Sequence, residues 1–180
     1  MRNRALAVLL FVTSASASAE VAAEVATMEC TADAAVHGGK LSSSGEIDAF
    51  EEPGDFVLLA FRTSAVEGWA VSKAVIALHL AGRGTVPGSV AVAPITAAWN
   101  ESARSAPAVG ASVAVSARPL QDGWFSVELP PKVSEALAKG TALGVSLMAK
   151  DGEEFAIHSR RTGQFTPYLL VRGTRPVAAK

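Results

Sequence analysis

The sequence predicts an all-β protein, a jelly-roll-like antiparallel β-sandwich with one short helix. About nine or ten short apolar or alternating segments follow one another at spacings of roughly 8–15 residues. Gly, Pro and Asp turn signals separate these segments, among them Asp122-Gly123 and Asp151-Gly152. Strands joined by turns rather than by helices favour antiparallel pairing and two packed sheets.

The first half of the chain supplies the strands with the strongest pattern. Asp33–Val36 is a short strand before the Gly38-Gly39 turn, and the polar stretch 40–48 predicts a loop with a short edge strand. The run FVLLAFR, residues 56–62, is apolar on both faces and predicts a central strand covered on both sides. Residues 69–80 alternate in their second half, and residues 89–95 form a further strand that ends near Pro94.

The second half begins with an irregular loop, residues 96–110. A weak strand at 111–120 is expected to form a hairpin with residues 124–130 across Asp122-Gly123. Residues 133–138 are the expected helix, closed by Lys139 and Gly140. Residues 142–150 and 154–159 are expected to pair across Asp151-Gly152. Residues 168–172 are the last strand, which we expect to pair near Asp33–Val36.

Residues 1–19 have the pattern of a secretory signal peptide. Arg2 and Arg4 precede the apolar stretch 5–12, and small residues lead to a predicted cleavage site near Ala19. We therefore expect a secreted protein, extracellular or periplasmic. Residues 20–27 are interpreted as a flexible leader, 28–173 as the β-sandwich domain and 174–180 as a tail. No later stretch reaches the roughly 18 apolar residues of a membrane-spanning helix.

Charge and cysteine content narrow the function classes. The formal net charge of −1 gives no electrostatic reason to expect nucleic acid or an anionic membrane as partner. The single cysteine, Cys30, leaves no partner for an internal disulfide and is expected to be buried or half-buried. No G-x-S-x-G or H-E-x-x-H pattern occurs, so we expect no enzyme activity.

An acidic stretch is the one place where the sequence suggests a cation. Asp48, Glu51, Glu52 and Asp55 cluster in a Gly/Pro-containing turn. A solvated loop is the simpler interpretation, and a structural Ca²⁺ held through Asp48 and Asp55 is the alternative, because oxygen-rich loops suit that ion. No other cofactor is expected.

Aromatic side chains beside polar ones are typical of sugar-binding surfaces, where rings stack on the apolar faces of pyranoses. Trp99, within WNESAR, has such neighbours in Asn100, Glu101 and Arg104. Trp69 and Trp124 begin strands and are expected to close the ends of the sandwich.

Five segments, in chain order, carry a resemblance to a known family. They are TADAAVHGG, FVLLAFRTSAVEGWAVSKAVIALHL, ITAAWNESARSAPAVG, DGWFSVELPPKVSEAL and LGVSLMA with FAIHSRRTGQFTPYLLV. Together they resemble the DNRLRE-type domains, which include carbohydrate-binding module family 96, from Thr31 to Val171. The resemblance implies a secreted jelly-roll-like sandwich that binds polysaccharides, acidic ones such as alginate among them. Two basic residues stand where that family usually has acids, Arg62 and Arg161.

The sequence therefore predicts a secreted, non-catalytic module whose partner is a polysaccharide or cell-surface glycan. Because arginine suits carboxylates, an acidic glycan is expected, with these candidate contacts: Arg62, Trp99, His158, Arg160 and Arg161. The alternative is a structural or assembly protein of the cell envelope that acts through protein–protein contacts. An exposed apolar patch or an unpaired strand edge would favour that alternative. The oligomeric state stays open.

Overall fold

The computed structural model describes residues 23–43, 45–50, 55–82, 84–150 and 153–176, without the side chains of residues 48–50. The predicted signal peptide lies outside the described residues. The strands are β1 (Glu24–His37), β2 (Lys40–Ser42), β3 (Glu46–Phe50), β4 (Phe56–Phe61), β5 (Ala70–His79), β6 (Ser89–Pro94), β7 (Val113–Pro119), β8 (Trp124–Glu128), β9 (Val145–Ala149), β10 (Glu154–His158) and β11 (Tyr168–Thr174). The helix α1 spans Pro131–Ala138, and short 3₁₀ turns span Thr63–Val66 and Arg160–Thr162.

Eight strands form one antiparallel sheet that closes on itself. Its order is β11-β5-β8-β7-β6-β9-β4-β1, and β1 pairs again with β11, while β2 extends β1 on the outside. Two strands make the closure by changing partner along their length. β1 pairs with β11 through residues 24–29 and with β4 through residues 30–36. β7 pairs with β6 through residues 113–116 and with β8 through residues 117–119.

Apolar side chains from these strands fill the interior. β4 is buried on both faces, as its apolar run predicts: Val57 and Leu59 belong to the main core, and Leu58 packs on the other side with Val36 and Ile95. The β3–β10 ribbon contributes Ile47, Phe155 and Ile157 to the core, and the Phe155 ring meets Phe125 edge-on at 6.1 Å. The helix α1 buries Val133 and Leu137 against the same core.

The all-β, antiparallel class with one short helix is confirmed, and three details of the prediction are wrong. β1 begins at Glu24, so residues 24–27 of the expected flexible leader are paired with β11. β11 meets β1 there and not near Asp33–Val36, and it continues to Thr174, the first residue of the predicted tail. β9 and β10 do not pair across Asp151-Gly152: β10 pairs with β3, and β9 lies between β4 and β6.

Within the described residues the sheet closes through β1 and β7 and does not end in free edges on both sides. A closed sheet removes unpaired strand edges, which neither the turn signals nor the alternation of the sequence could indicate. Among the described residues, no helix has the length and apolar content needed to cross a membrane.

Candidate functional site

A buried carboxylate, Asp33 of β1, anchors one end of the connection between β10 and β11. Its Oδ1 accepts a hydrogen bond of 2.8 Å from the Ser159 hydroxyl, and its Oδ2 accepts one of 2.6 Å from the Arg160 backbone N–H. Asp33 is fully buried. Both of its oxygens are therefore bound to the first residues of that connection, where they hold the 3₁₀ turn in place.

Glu101 joins the same cluster from the loop between β6 and β7. Its Oε1 accepts from the Asp33 backbone N–H at 3.0 Å and from Arg160 Nε at 3.0 Å. Arg160 Nη2 lies 2.7 Å from Oε1 and 2.8 Å from Oε2, and Arg161 Nη2 also donates to Oε2. One carboxylate thus holds two guanidinium groups, the geometry that makes arginine–carboxylate pairs strong.

The environment shifts the pKa values of Asp33, Glu101 and Arg160. Burial raises the pKa of Asp33 above its ordinary value, although the bonds from the Arg160 N–H and the Ser159 hydroxyl act to lower it. Partial burial also acts to raise the pKa of Glu101, but the bonds from the Asp33 N–H and from Arg160 outweigh it and leave that pKa lowered. The hydrogen bond to Glu101 raises the pKa of the Arg160 guanidinium. Glu101 and Arg160 are therefore a stable ion pair at neutral pH.

We call Asp33, Glu101, Ser159, Arg160 and Arg161 the polar latch. Its members come from three of the segments that carry the family resemblance: TADAAV, WNESAR and HSRR. Its two carboxylates and two guanidiniums balance one another, and all four carboxylate oxygens accept bonds from the protein. The latch fastens the β10–β11 connection, which then continues to Phe165.

An aromatic cluster lies where this connection meets the outer surface of β5, β8 and β11. We call it the aromatic face, and its members are His79, Trp124, His158, Phe165 and Tyr168. His79 and Trp124 are direct cross-strand partners with ring centroids 5.2 Å apart. The Phe165 ring stacks on His79 at 3.8 Å, and Tyr168 lies 5.4 Å from Trp124. Four of these residues are half-buried, and Phe165 is exposed.

Phe165 is the most exposed member, and its backbone conformation is unusual. Its side chain is 41% exposed, although a lone phenylalanine gains free energy by burial. Its φ of 57° lies in the left-handed region, which bulky residues seldom occupy. Strain of this kind persists where the surrounding structure imposes it, and it concentrates at functional sites. The connection thus holds an aromatic ring outward at a cost to the chain.

The two histidines of the aromatic face have different surroundings. His79 Nδ1 lies 2.8 Å from the Leu80 carbonyl, an arrangement in which the nitrogen donates. Gly123 borders the other side of this ring, where a Cβ atom would lie 3.1 Å from His79 Nε2. His158 Nδ1 is buried and has no hydrogen-bond partner among the described residues. The aromatic face therefore contains one unsatisfied polar atom, the kind of group that needs an explanation in a native structure.

The candidate contacts from the sequence do not form one site. Arg160 and Arg161 are both bound to Glu101, and His158 lies in the aromatic face. Trp99 packs against the smaller core cluster of Val36, Phe56, Leu58 and Ile95. Arg62 is exposed and lines a shallow groove beside β1, with Thr31 and Glu29 among its neighbours.

The suggested cation site is not formed by the residues that can be described. Both oxygens of Asp55 are used within the protein, since Oδ2 lies 3.0 Å from His37 Nδ1 and Oδ1 accepts from the Gly38 N–H at 2.9 Å. The His37 bond and the Gly38 bond lower the pKa of Asp55. The side chain of Asp48 and residues 51–54 lie outside the described part. Within that part, no group of three or more His, Cys, Asp or Glu side chains could hold a metal.

Sequence reasoning missed four members of the aromatic face: His79, Trp124, Phe165 and Tyr168. Trp124 was expected to close an end of the sandwich, but it lies half-buried in this cluster. His79 and Tyr168 lie on strands distant in the chain, and only the β5–β11 pairing brings them together. Phe165 did carry a signal, since it is an aromatic residue within the polar TGQFTP segment. A large apolar ring in such a loop has no strand or helix to bury it.

No family model matches this chain. No curated protein matches its sequence either.

Proposed function

We propose that this protein is a secreted, non-catalytic module that binds polysaccharide through the aromatic face. The observation that carries the proposal is Phe165, an exposed ring held at positive φ and stacked on His79 beside Trp124 and Tyr168. Exposed aromatic faces stack on the C–H faces of pyranose rings, and the tyrosine hydroxyl and imidazole nitrogens supply hydrogen bonds. The predicted signal in residues 1–19 supports export.

The polar latch supports a binding role over a catalytic one. Asp33 and Glu101 are the carboxylates of the latch, and both oxygens of each accept hydrogen bonds from protein donors. A general acid or base needs an oxygen that can reach the proton it transfers. The latch instead fixes the path of the backbone that presents Phe165.

We also propose that the closed sheet is a variant of the jelly-roll-like sandwich. Two groups of strands face one another, one containing β11, β5 and β8 and the other β6, β9 and β4, and β1 and β7 contribute to both. The shared strands would form the corners of the sandwich.

The test is a comparison of Phe165→Ala with Leu143→Ala in binding to a polysaccharide panel. Leu143 is 44% exposed and Phe165 is 41% exposed, so the two variants remove similar exposed apolar side chains. We expect affinity electrophoresis to show up to about a tenfold loss for Phe165→Ala, because one aromatic contact is worth up to about 1.5 kcal/mol. Leu143→Ala should bind like the wild type. Equal retention of both variants, or no retention of the wild type, would falsify the proposal.

A second candidate function, protein–protein contact, is favoured by an apolar groove on another part of the surface. The groove, of about 590 Å³, lies between β7 and α1 and is lined by Val113, Pro130, Pro131 and Lys132 among others. Val113 is 49% exposed. The apolar lining and the lysine together fit an extended apolar segment that carries an acidic residue.

Selection of displayed peptides on the folded protein tests this second candidate. We expect enrichment of apolar peptides with an acidic residue, and loss of their binding in Val113→Asp. In Lys132→Glu the preferred charge of the peptide should reverse from acidic to basic. Peptides without these features, or peptides that bind both variants unchanged, would remove the groove from consideration.

A further inference from the structure

The sheet closes through β7 over only part of the length of that strand. β7 pairs with β6 at residues 113–116 and with β8 at residues 117–119. Within the described residues, no strand therefore lies beside residues 113–116 on the side that faces β8. Val113, Ala114 and Ser116 are exposed there. The closure thus leaves one short edge of β7 open.

Two prolines explain why β8 does not cover this edge. The β7–β8 register pairs Ala117 with Val127, and its continuation would place Pro130 opposite Ala114. Pro130 and Pro131 have no backbone N–H with which to extend the pairing. The Pro130 carbonyl accepts hydrogen bonds from the first turn of α1 instead. The chain therefore leaves β7 at this point.

The backbone groups of Ala114 face the open side. The Ala117 N–H donates to the Gly88 carbonyl at 3.2 Å, and these two residues continue the β6–β7 register by one position. Opposite residues in an antiparallel pair are bonded to each other at every second position. Val115 and Val113 therefore bond to β6, whereas the N–H and C=O of Ala114 point away from it. Among the described residues, no hydrogen-bond partner meets them there.

The open edge forms one wall of a wedge between β7 and the junction of β8 with α1. The part beside α1 is the apolar groove of about 590 Å³, and the part beside β8 has about 390 Å³. Pro130 and Pro131 line both parts, so the two are continuous, and we call them together the β7 wedge. Strands rise about 3.3 Å per residue, so residues 113–116 offer an edge of about 13 Å.

Two cations beside the wedge have no anionic partner among the described residues. Arg118 lines the part beside β8 and Lys132 the part beside α1, and both are exposed. The acids of β8 and α1 are already paired, Glu128 with a lysine of β5 at 3.0 Å and Glu135 with the lysine after the helix at 3.2 Å. β6 carries no charged residue, and Asp122 lies in the turn at the other end of the hairpin. The wedge therefore favours a partner with an acidic side chain.

An extended peptide matches these features. Its backbone offers N–H and C=O groups at the spacing of the Ala114 groups, and every second side chain lies on the side of Val113 and Val133. The β7 strand of a second copy does not fit, because β6 and β8 already hold its two sides.

We propose that the β7 wedge binds an extended peptide segment of another protein as an added strand, an inference that rests on the protein–protein candidate function and not on polysaccharide binding. The segment bonds to the backbone of Ala114 and has apolar side chains at alternate positions. Its acidic residue is attracted to Arg118 and Lys132. The backbone bonds supply affinity, and the side chains supply specificity.

The experiment replaces the amide N–H groups of a bound peptide one at a time by N-methyl groups. The probe is the apolar, acidic peptide most enriched from the displayed library, and titration calorimetry measures its binding to the unmodified protein. N-methylation removes a donor without changing a side chain. Because only alternate residues of an added strand bond to β7, we expect affinity to fall about tenfold or more at every second position. The positions between should change it by no more than about threefold.

A proline at position 114 removes the corresponding donor from the protein. The N–H of Ala114 does not bond to β6, so Ala114→Pro leaves the β6–β7 bonds in place, and proline is tolerated at such edge positions. We expect the peptide to bind about tenfold more weakly or worse. The matched control is Ala114→Ser, which keeps the N–H and should bind within about threefold of the wild type. If the proline variant does not fold, the N-methyl scan still tests the proposal on the unmodified protein.

The outcomes distinguish this inference from the function on which it rests. Peptides that bind without any alternation in the N-methyl scan, or equally well to Ala114→Pro, would overturn strand addition and leave protein–protein contact standing. A dimer in sedimentation that Ala114→Pro dissociates would assign the wedge to a second copy and would also overturn it. Failure to enrich any peptide would overturn the protein–protein function, and the present inference with it.

Discussion

At the scale of single residues, Glu101 is the side chain that connects the separate elements of the polar latch. It bonds a backbone N–H of β1 and both arginines of the β10–β11 connection, so it links elements that are far apart in the chain. Its carboxylate is largely shielded, whereas the two guanidiniums remain about one-third and two-fifths exposed. Removing the charge of Glu101 therefore leaves cations that water can reach only in part.

Glu101→Gln should destabilise the protein by about 2 kcal/mol at pH 7, because two charge-assisted contacts become weaker. The pKa of Glu101 is lowered in the folded state, so its contribution is present above its ordinary value of about 4.3 and disappears as the pH falls through the lower native value. The pKa of Asp33 is raised, so the contribution of Asp33 to stability has the opposite pH dependence. Asp33 is present in wild type and variant, so this contribution cancels from the difference between them. The difference between wild type and variant should therefore shrink as the pH falls below the ordinary pKa of a glutamate.

Urea denaturation at pH 7, 5, 3 and 2 measures this difference. Glu67→Gln serves as the control, since an exposed glutamate away from the latch should change stability by no more than about 0.5 kcal/mol at any of these values. A difference for Glu101→Gln that stays constant from pH 7 to pH 2 would contradict the assignment of Glu101 as an ionised partner of Arg160.

The strain at Phe165 gives a second prediction at this scale. Phe165→Gly and Phe165→Ala both lose the ring contacts with His79, but only glycine accepts φ of 57° without strain. The glycine variant should therefore be more stable than the alanine variant by about 1 kcal/mol. At Leu120, which is exposed and outside the left-handed region, the same pair should have the reverse order. Thermal or urea unfolding of the four variants measures the order of stability within each pair.

At the scale of elements, the sequence predicts those that its local pattern determines. β4, β6, β8, β10 and α1 lie where apolar runs and turn signals indicate, and the β7–β8 hairpin forms across Asp122-Gly123. Pairing between distant strands cannot be predicted in this way. Alternation of apolar and polar residues shows which face of a strand is buried, but not which strand lies beside it. β10 was expected beside β9 and lies beside β3. Residues 24–27, which the sequence assigns to a flexible leader, form a strand that pairs with β11.

The candidate site could likewise be predicted only in part. Arg160, Arg161, Glu101 and His158 could be selected from the sequence as polar residues in unusual places. Their roles could not be predicted. The sequence does not show that the Glu101 carboxylate binds both arginines, which lie about 60 residues further along the chain. A basic loop therefore indicated a free cationic surface, whereas the fold neutralises it.

Gly173 tests the close approach of β11 and β5. A Cβ at this position would lie 2.6 Å from the Ala70 carbonyl oxygen and 3.1 Å from Val71 Cα, both backbone atoms. Gly173→Ala should therefore cost about 2 kcal/mol or more, because strand backbones must move apart. Gly84→Ala, where the nearest atom would be 3.5 Å away, should be neutral or slightly stabilising. Equal unfolding midpoints for the two variants would contradict this register.

At the scale of the whole molecule, closure of the sheet determines which parts of the chain are indispensable. β1 is the strand that joins β11 to β4: its partner changes between Glu29 and Cys30, next to an irregularity in the β1–β4 register between Cys30 and Ala32. Cys30 itself is buried, and burial raises the pKa of its thiol, which keeps the thiol protonated and unreactive at this junction. The N-terminal half of β1 is therefore structural, not an appendage.

A shortened form that begins at Met28 tests closure directly. Its loss of residues 24–27 leaves the backbone of β11 unpaired from Leu170 to Gly173 along one side. Relative to a form beginning at Ala23, we expect the melting temperature to fall by about 10 °C, which corresponds to roughly 3 kcal/mol in a protein of this size. We also expect aggregation through the exposed edge. A flexible leader, as the sequence suggested, would leave the melting temperature unchanged.

The pairing of β1 with β11 also has a kinetic consequence. The two strands are separated by about 140 residues, so the contact that completes the sheet spans nearly the whole described chain. Folding slows as contacts become more distant in sequence, and all-β proteins of this kind fold in milliseconds to seconds. A ribosome must release β11 before the sheet can close. Until then the pairs between β11 and its neighbours β1 and β5 cannot form.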